Sequence, residues 1–187
     1  MFETGEYFKE ITNVFSALDM SEIDQAISRI IKTQQSGNTI FTCGNGGSAY
    51  AASHYITDWN KMYSLKTGQN FKGISLCDNI GSITAYANDI NYNDIFSGQL
   101  RSLGTSGDLL IVISGSGNSK NLIEALKTAK ENSIQTMAFV GYDGGQCKSL
   151  SENVVHVPSF DMQFCEDIHL MLGHIIMKKI CGYEIEV

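Results

Sequence analysis

Residues 39–58 constrain the fold more tightly than any other stretch of the chain. Thr39-Ile40-Phe41-Thr42 is β-branched and aromatic, which reads as a buried strand. Gly44-Asn45-Gly46-Gly47 follows as a sharp turn that glycine backbone makes at little steric cost. Ser48 then reads as a helix cap, and Ala49 to Asp58 is alanine-rich and free of glycine and proline. A strand, a glycine turn and a helix start, in that order, make an anion site. The helix's first N–H groups point outward unpaired, and glycine lets a phosphate come close to them. His54 and Asp58 lie four residues apart and share one helix face. An imidazole and a carboxylate beside a phosphate cradle fit a metal site, or an acid/base pair next to a phosphorylated substrate. Either feature alone is common in ligand-free α/β proteins, so its meaning depends on what else the chain carries.

The unit recurs. Leu109-Leu110-Ile111-Val112-Ile113 is the strongest buried-strand signal in the chain. It runs into Ser114-Gly115-Ser116-Gly117-Asn118-Ser119, and Asn121 to Asn132 then reads as a helix. Three hydroxyls at a helix N-terminus are phosphate-binding chemistry, because side-chain O–H and backbone N–H groups both donate there. Elsewhere, Lys72–Leu76, Thr136–Val140 and Val154–Val157 read as further strands, and Ser82–Tyr86 and Ile95–Leu103 as helices. Asn88–Tyr92 reads as a polar turn, and Gly141–Gly145 as the turn after a strand. Alternating strands and helices imply a parallel sheet with helices on both faces, with ligands beyond the strands' C-terminal ends.

Ahead of this core, residues 6–36 carry two apolar stripes, Tyr7, Phe8, Ile11, Val14, Phe15 and Leu18, then Ile23, Ala26, Ile27, Ile30 and Ile31. Ser21 with Asp24 reads as the cap between them. Such a helix pair covers either the sheet or a neighbouring subunit. The expectation is one domain over 1–187, with helices in 1–36 and the α/β core in 37–187. The net charge of −7, with no basic stripe, argues against nucleic acid as a partner. Five cysteines without a C-x-x-C pair read as reduced thiols in a cytoplasmic protein. No apolar run reaches membrane-spanning length and no signal-peptide core precedes the first helix, so no membrane partner is expected.

Phe164 to Ile180 reads as the last helix. His174 has Glu166 eight residues before it and Asp167 seven before it, and spacing places both carboxylates on its side. His169 points away from His174. Surrounded by Leu170, Met171 and Met177, His174 taken alone reads better as a core histidine.

Together these residues resemble a family. Gly44-Asn45-Gly46-Gly47-Ser48 with His54, Ala87-Asn88-Asp89, Ser114-Gly115-Ser116-Gly117-Asn118-Ser119, Asp143-Gly144-Gly145, and Glu166-Asp167-Ile168-His169 with His174 are similar to the sugar isomerase (SIS) domain family. Within it they resemble the phosphoheptose isomerase branch, over about residues 7–180. The resemblance implies a flavodoxin-like three-layer sandwich around a parallel sheet, assembled as a homotetramer with active sites at subunit interfaces. It implies phosphate on Ser114, Gly115, Ser116 and Ser119 with help from Ser48. It places the sugar on Asn45, Gly46, Gly47, Asn88, Asp89 and Glu166. It also implies a Zn²⁺ site at His54, Asp58, Glu166 and His174, and it selects Glu166 over Asp167. The implied reaction is aldose–ketose isomerisation of sedoheptulose 7-phosphate to D-glycero-D-manno-heptose 7-phosphate through an enediol, with Asp58 or Glu166 as base and His174 as its partner. Mn²⁺ or Ni²⁺ would also suit two imidazoles and two carboxylates.

The chain departs from the family pattern in four places. Asp58 stands where glutamate is common, Glu166 where glutamine is common, and Met62 where a basic residue is common, with Lys61 adjacent. The serine loop has Gly115 where a threonine commonly lies. Two other readings stay open on the sequence: a non-catalytic phosphosugar-binding adapter of the same fold, and an isomerase of another sugar phosphate.

Overall fold

The computed structural model describes residues 2–185. Its centre is a five-stranded, wholly parallel sheet of β1 (Ile40–Gly44), β2 (Gly73–Ser75), β3 (Leu109–Ser114), β4 (Gln135–Val140) and β5 (Asn153–His156). The strand order is β2-β1-β3-β4-β5. Order reverses between β1 and β3, which pair in register from Ile40 opposite Leu109 to Gly44 opposite Ile113. In an open α/β sheet that reversal opens a crevice beyond the strand ends. Both glycine-rich turns expected from the sequence leave the sheet at this point. The flavodoxin-like expectation is met.

Side-chain alternation on β3 builds the three layers. Leu109, Ile111 and Ile113 join one core, and Leu110 and Val112 join the other. The first core is covered by α1 (Thr4–Ser16), α2 (Met20–Gln35), α3 (Gly47–Thr67) and α8 (Met162–Cys181). The second is covered by α4 (Ile80–Asp89), α5 (Ser97–Leu103), α6 (Lys120–Glu131) and the short α7 (Gly145–Leu150), with a 3₁₀ turn over Tyr92–Asp94. The two N-terminal helices have different fates. α2 buries Ile23, Ala26, Ile27 and Ile30, whereas α1 buries only Ile11 and leaves Phe8 66% exposed.

Several boundaries differ from the sequence reading, each for a local reason. Ser48 is not the cap of α3. Gly46 takes φ 54°, the helix starts at Gly47, and Ser48 is buried within the first turn. α3 then continues past Asp58 to Thr67, where Gly68 closes it at φ 70°. Asp19, rather than Ser21 with Asp24, caps α2: its Oδ1 accepts from the Ser21 backbone N–H at 2.8 Å and from the Ser21 hydroxyl at 2.7 Å. Asn88 and Asp89 close α4 rather than lying in a turn, and α7 starts at the second glycine of the Gly144-Gly145 pair, a stretch that reads as turn alone.

The helices that carry the histidines are locked together by aromatic packing. Tyr55 and Trp59 on α3 are fully buried and stacked, with ring centroids 5.1 Å apart. Trp59 Nε1 donates to the Gly173 carbonyl at 3.0 Å, and the Tyr55 hydroxyl donates to the His169 carbonyl. Gly173 is the point of closest approach, because a Cβ there would sit 2.1 Å from the Tyr55 ring. Gly173→Ala should therefore push α3 and α8 apart and cost about 1–3 kcal/mol. A lowered urea midpoint at unchanged slope is the expected reading; a parental midpoint would show that the crossing is slack.

Candidate active site

The crossing of α3 and α8 decides where the histidines go. Residues 55 and 59 turn into the core, so His54 and Asp58, one position earlier, emerge at the margin of the α3–α8 seam. On α8, Cys165, Ile168, Leu172 and Ile176 are buried, so Glu166, Leu170 and His174 form the adjoining stripe at i, i+4 and i+8. The two seams meet. His54 Nε2 lies 2.8 Å from His174 Nε2, with the rings at 85°. One ring must donate and the other accept. Asp58 Oδ2 lies 3.5 Å from His54 Nε2 and 3.8 Å from His174 Nε2. The three side chains remain 41%, 26% and 47% exposed in the order His54, Asp58, His174. His174 is thus not a core histidine.

The donor set suits a divalent ion of borderline softness. One ligand atom from each of His54, Asp58 and His174 lies within 4.8 Å of the others. Zn–N lengths of about 2.0–2.1 Å put two imidazole nitrogens on one tetrahedral ion roughly 3.3 Å apart, so these rings need part by only about 0.5 Å. The residues present fit the group.

Glu166 does not join the three. Its carboxylate packs on Gly47 at the start of α3, where a Cβ would approach Oε1 to 2.6 Å. The unpaired N–H groups and positive end of α3 favour a carboxylate there, and the helix's own first turn has no acid. Glu166 and His174 line one cleft of about 600 Å³ together with Gly47, His54 and Asp167. The two carboxylates that spacing leaves equivalent are distinguished by their partners. The Tyr7 hydroxyl on α1 donates to Asp167 Oδ2 at 2.5 Å, and that bond pushes the phenol up to about 12. Asp167 is thereby tied to α1, while Glu166 makes no comparable contact among the described residues.

The turns at the sheet's switch point are braced. Ser114 Oγ accepts from the Gly117 N–H at 3.0 Å, and Ser116 Oγ lies 3.3 Å from the Asn118 N–H. Gly117 is at φ 65°, and a Cβ there would lie 2.0 Å from the Gly144 carbonyl, so this loop is clamped against the turn after β4. Ser119 is the N-cap residue of α6, yet its hydroxyl makes no cap bond, leaving it available. Gly115 packs on Met162 at the start of α8. Ser48 is buried, whereas Gly46 and Gly47 are exposed. Asn45 is held by two residues that the sequence reading passes over, Asn121 and Tyr92. Asn88 and Asp89 are exposed at the end of α4 and bond to each other at 2.6 Å, without reaching the cleft among the described residues.

His169 is fully enclosed rather than merely turned away, and neither ring nitrogen has a partner among the described residues. Burial lowers its pKa to about 4, with a nearby Val140 carbonyl opposing the shift.

The family model described as "SIS domain" matches residues 6–141. The phosphoheptose isomerase of Helicobacter pylori is 38% identical over 158 residues, 84% of this chain and 82% of that protein. A probable phosphoheptose isomerase of Thermoplasma acidophilum is 35% identical over 178 residues, covering 95% and 97%. The solved phosphoheptose isomerase of Neisseria gonorrhoeae superposes with a TM-score of 0.88 at 29% identity, over 95% of this chain and 96% of that one.

The enclosed histidine has a measurable consequence. It is neutral in the fold, whereas in the unfolded chain it takes a proton below pH 6.5, so the unfolded state binds more protons and stability falls on acidification. The loss should amount to roughly 3 kcal/mol between pH 6.5 and 4. Urea midpoints for His169→Leu should fall less steeply over that range than those of the parent. Parallel slopes would show that His169 is protonated without penalty.

Proposed function

The chain belongs to the SIS domain family, in its phosphoheptose isomerase branch, and on that premise we propose that the cleft at the α3–α8 seam is where its isomerisation takes place. It is an isomerase, and the substrate that its relatives' names point to is sedoheptulose 7-phosphate, converted to D-glycero-D-manno-heptose 7-phosphate. The observation that carries the reading is the convergence of His54, Asp58 and His174 from sites 120 residues apart, beside a carboxylate-lined cleft. A phosphosugar-binding adapter would need none of that chemistry.

The serine loop, Ser114, Gly115, Ser116 and Ser119, receives the phosphate at the N-terminus of α6, with Ser48 adding to it from α3. Asn45, Gly46 and Gly47 hold the sugar between that loop and the cleft, with Asn88 and Asp89 assigned to it from the exposed end of α4. Aldose–ketose interconversion removes a proton from the carbon beside the carbonyl and returns it to the neighbouring carbon. Asp58 is engaged with both imidazoles, whereas Glu166 faces the cleft, so Glu166 takes the role of base and His174, whose ring contacts His54, that of its partner. His54, Asp58 and His174 would hold Zn²⁺, with Glu166 able to complete the set by leaving Gly47. Such an ion supplies polarisation of the substrate's oxygens.

Apolar side chains left on the surface support a homotetramer. Phe8, Met20, Met171 and Ile175 are 42–66% exposed on α1, the start of α2 and the flank of α8 turned toward α1 and α2. A homotetramer burying these faces would place each cleft at a subunit boundary. Among the described residues no helix is long and apolar enough to cross a membrane.

Three measurements test this reading. Incubation of the protein with a panel of ketose phosphates, with and without Zn²⁺, should show isomerisation of sedoheptulose 7-phosphate; turnover of none would overturn it. His174→Ala should lose bound metal and at least about 100-fold in kcat, whereas Glu166→Gln should lose kcat and keep the metal. Full activity of Glu166→Gln would move the base to Asp58. Light scattering should return about four times the 20.5 kDa subunit mass, and a monomer would refute the interface cleft.

A further inference from the structure

Asn45 and Asn121 come from different strand–helix units, one in the turn after β1 and the other in the first turn of α6. Their amides form a reciprocal pair. Asn45 Nδ2 donates to Asn121 Oδ1 at 2.9 Å, and Asn121 Nδ2 donates to Asn45 Oδ1 at 2.8 Å. Asn121 is only 2% exposed, so its amide depends on these bonds for satisfaction. Two further contacts complete the network: the Leu122 backbone N–H lies 3.0 Å from Asn121 Oδ1, and the Tyr92 hydroxyl lies 3.2 Å from Asn45 Oδ1.

The network has a direction. A hydroxyl can donate or accept, but the Leu122 backbone N–H can only donate. Its contact therefore makes the near atom of Asn121 the carbonyl oxygen. That oxygen in turn makes the facing atom of Asn45 the NH₂ group, and Asn45 Oδ1 is then committed to Asn121 Nδ2 and Tyr92. Each NH₂ carries two N–H bonds and the pair uses one of each. Asn121 is enclosed and Asn45 is partly exposed, so the spare N–H that a ligand can reach belongs to Asn45.

We infer that Asn121 is a positioning residue that fixes the Asn45 amide so that it presents an N–H, and not its carbonyl, to an oxygen of the sugar. This rests on the sugar-phosphate reading above. Without Asn121 the Asn45 amide is free to rotate, and half of its orientations offer an acceptor where a donor is needed. The same pair ties the glycine turn to the helix behind the serine loop, so it sets the distance between the sugar end and the phosphate end of the site.

A double-mutant cycle on the full-length protein, with sedoheptulose 7-phosphate as substrate, tests the inference. Asn45→Ala and Asn121→Leu should each lower kcat/KM by about tenfold, the worth of one hydrogen bond to substrate. Because Asn121 acts through Asn45, the double variant should fall no further than Asn45→Ala alone. Asn121→Gln keeps both the oxygen that receives Asn45 Nδ2 and the NH₂ that donates to Asn45 Oδ1, so it should recover part of the loss, and it serves as the second variant where Asn121→Leu fails to fold. Inhibition by inorganic phosphate should stay at the parental value throughout, since the serine hydroxyls are untouched. Losses that multiply in the double variant, a parental kcat/KM for Asn121→Leu, or phosphate inhibition that weakens in step would each overturn the positioning role. A parent protein that does not turn over the substrate overturns the isomerase reading and this inference with it, whereas an active parent with multiplying losses overturns the inference alone.

Discussion

The packing of Tyr55 and Trp59 against Gly173 is the contact on which the site depends. Two fully buried aromatics fix the rotation of α3 about its own axis, and an absent side chain at 173 lets α8 lie close against them. Each ring removes about 150–250 Å² from water, which makes this seam costly to open. The rotation that buries residues 55 and 59 is the one that brings His54 and Asp58 to the margin. The close approach at Gly173 is what sets its neighbour His174 at hydrogen-bond distance from His54. The polar cluster contributes little to holding the helices together, because its members are exposed and surface charge pairs are weak. Hydrophobic packing builds the geometry and the polar groups use it.

The second constraint is the sheet's reversal of order. It places the ends of β1 and β3 side by side, so two glycine-rich turns from distant parts of the chain share one crevice. The Asn45–Asn121 amide pair spans that crevice, and the clamp of Gly117 on Gly144 fixes its far wall. Glu166, resting on Gly47, links the crevice to the histidine cleft. The serine loop after β3 and the glycine turn after β1 thereby share the C-terminal edge of the sheet.

Much of this was legible in the sequence because it is local. The apolar run at 109–113 and the glycine turn at 44–47 each follow from residues within a few positions, and their repetition gave the parallel sheet. His54 and Asp58 share a face by spacing alone. Other features depend on contacts between distant segments and leave no local trace. Nothing near Asn121 marks it as a partner of Asn45, and nothing near Tyr7 marks it as the holder of Asp167, 160 residues away. Ser48 has the residue type of a cap, but the tight turn at Gly46 starts the helix before it. Spacing shows only that His169 points away from His174; that it lies wholly in the core follows from the sheet being opposite it. The expected four-residue ligand set became three gathered residues, since the start of α3 competes for the Glu166 carboxylate.

The central claim is that this seam moves a proton between adjacent carbons of a phosphorylated ketose. It is tested most directly by incubating the protein with sedoheptulose 7-phosphate in D₂O and following the sugar by proton and carbon NMR. The account predicts deuterium at the carbon next to the carbonyl in the aldose product and in recovered ketose, with exchange abolished by His174→Ala. Aldose and ketose still free of deuterium after prolonged incubation at equilibrium, or exchange that persists in that variant, would contradict it.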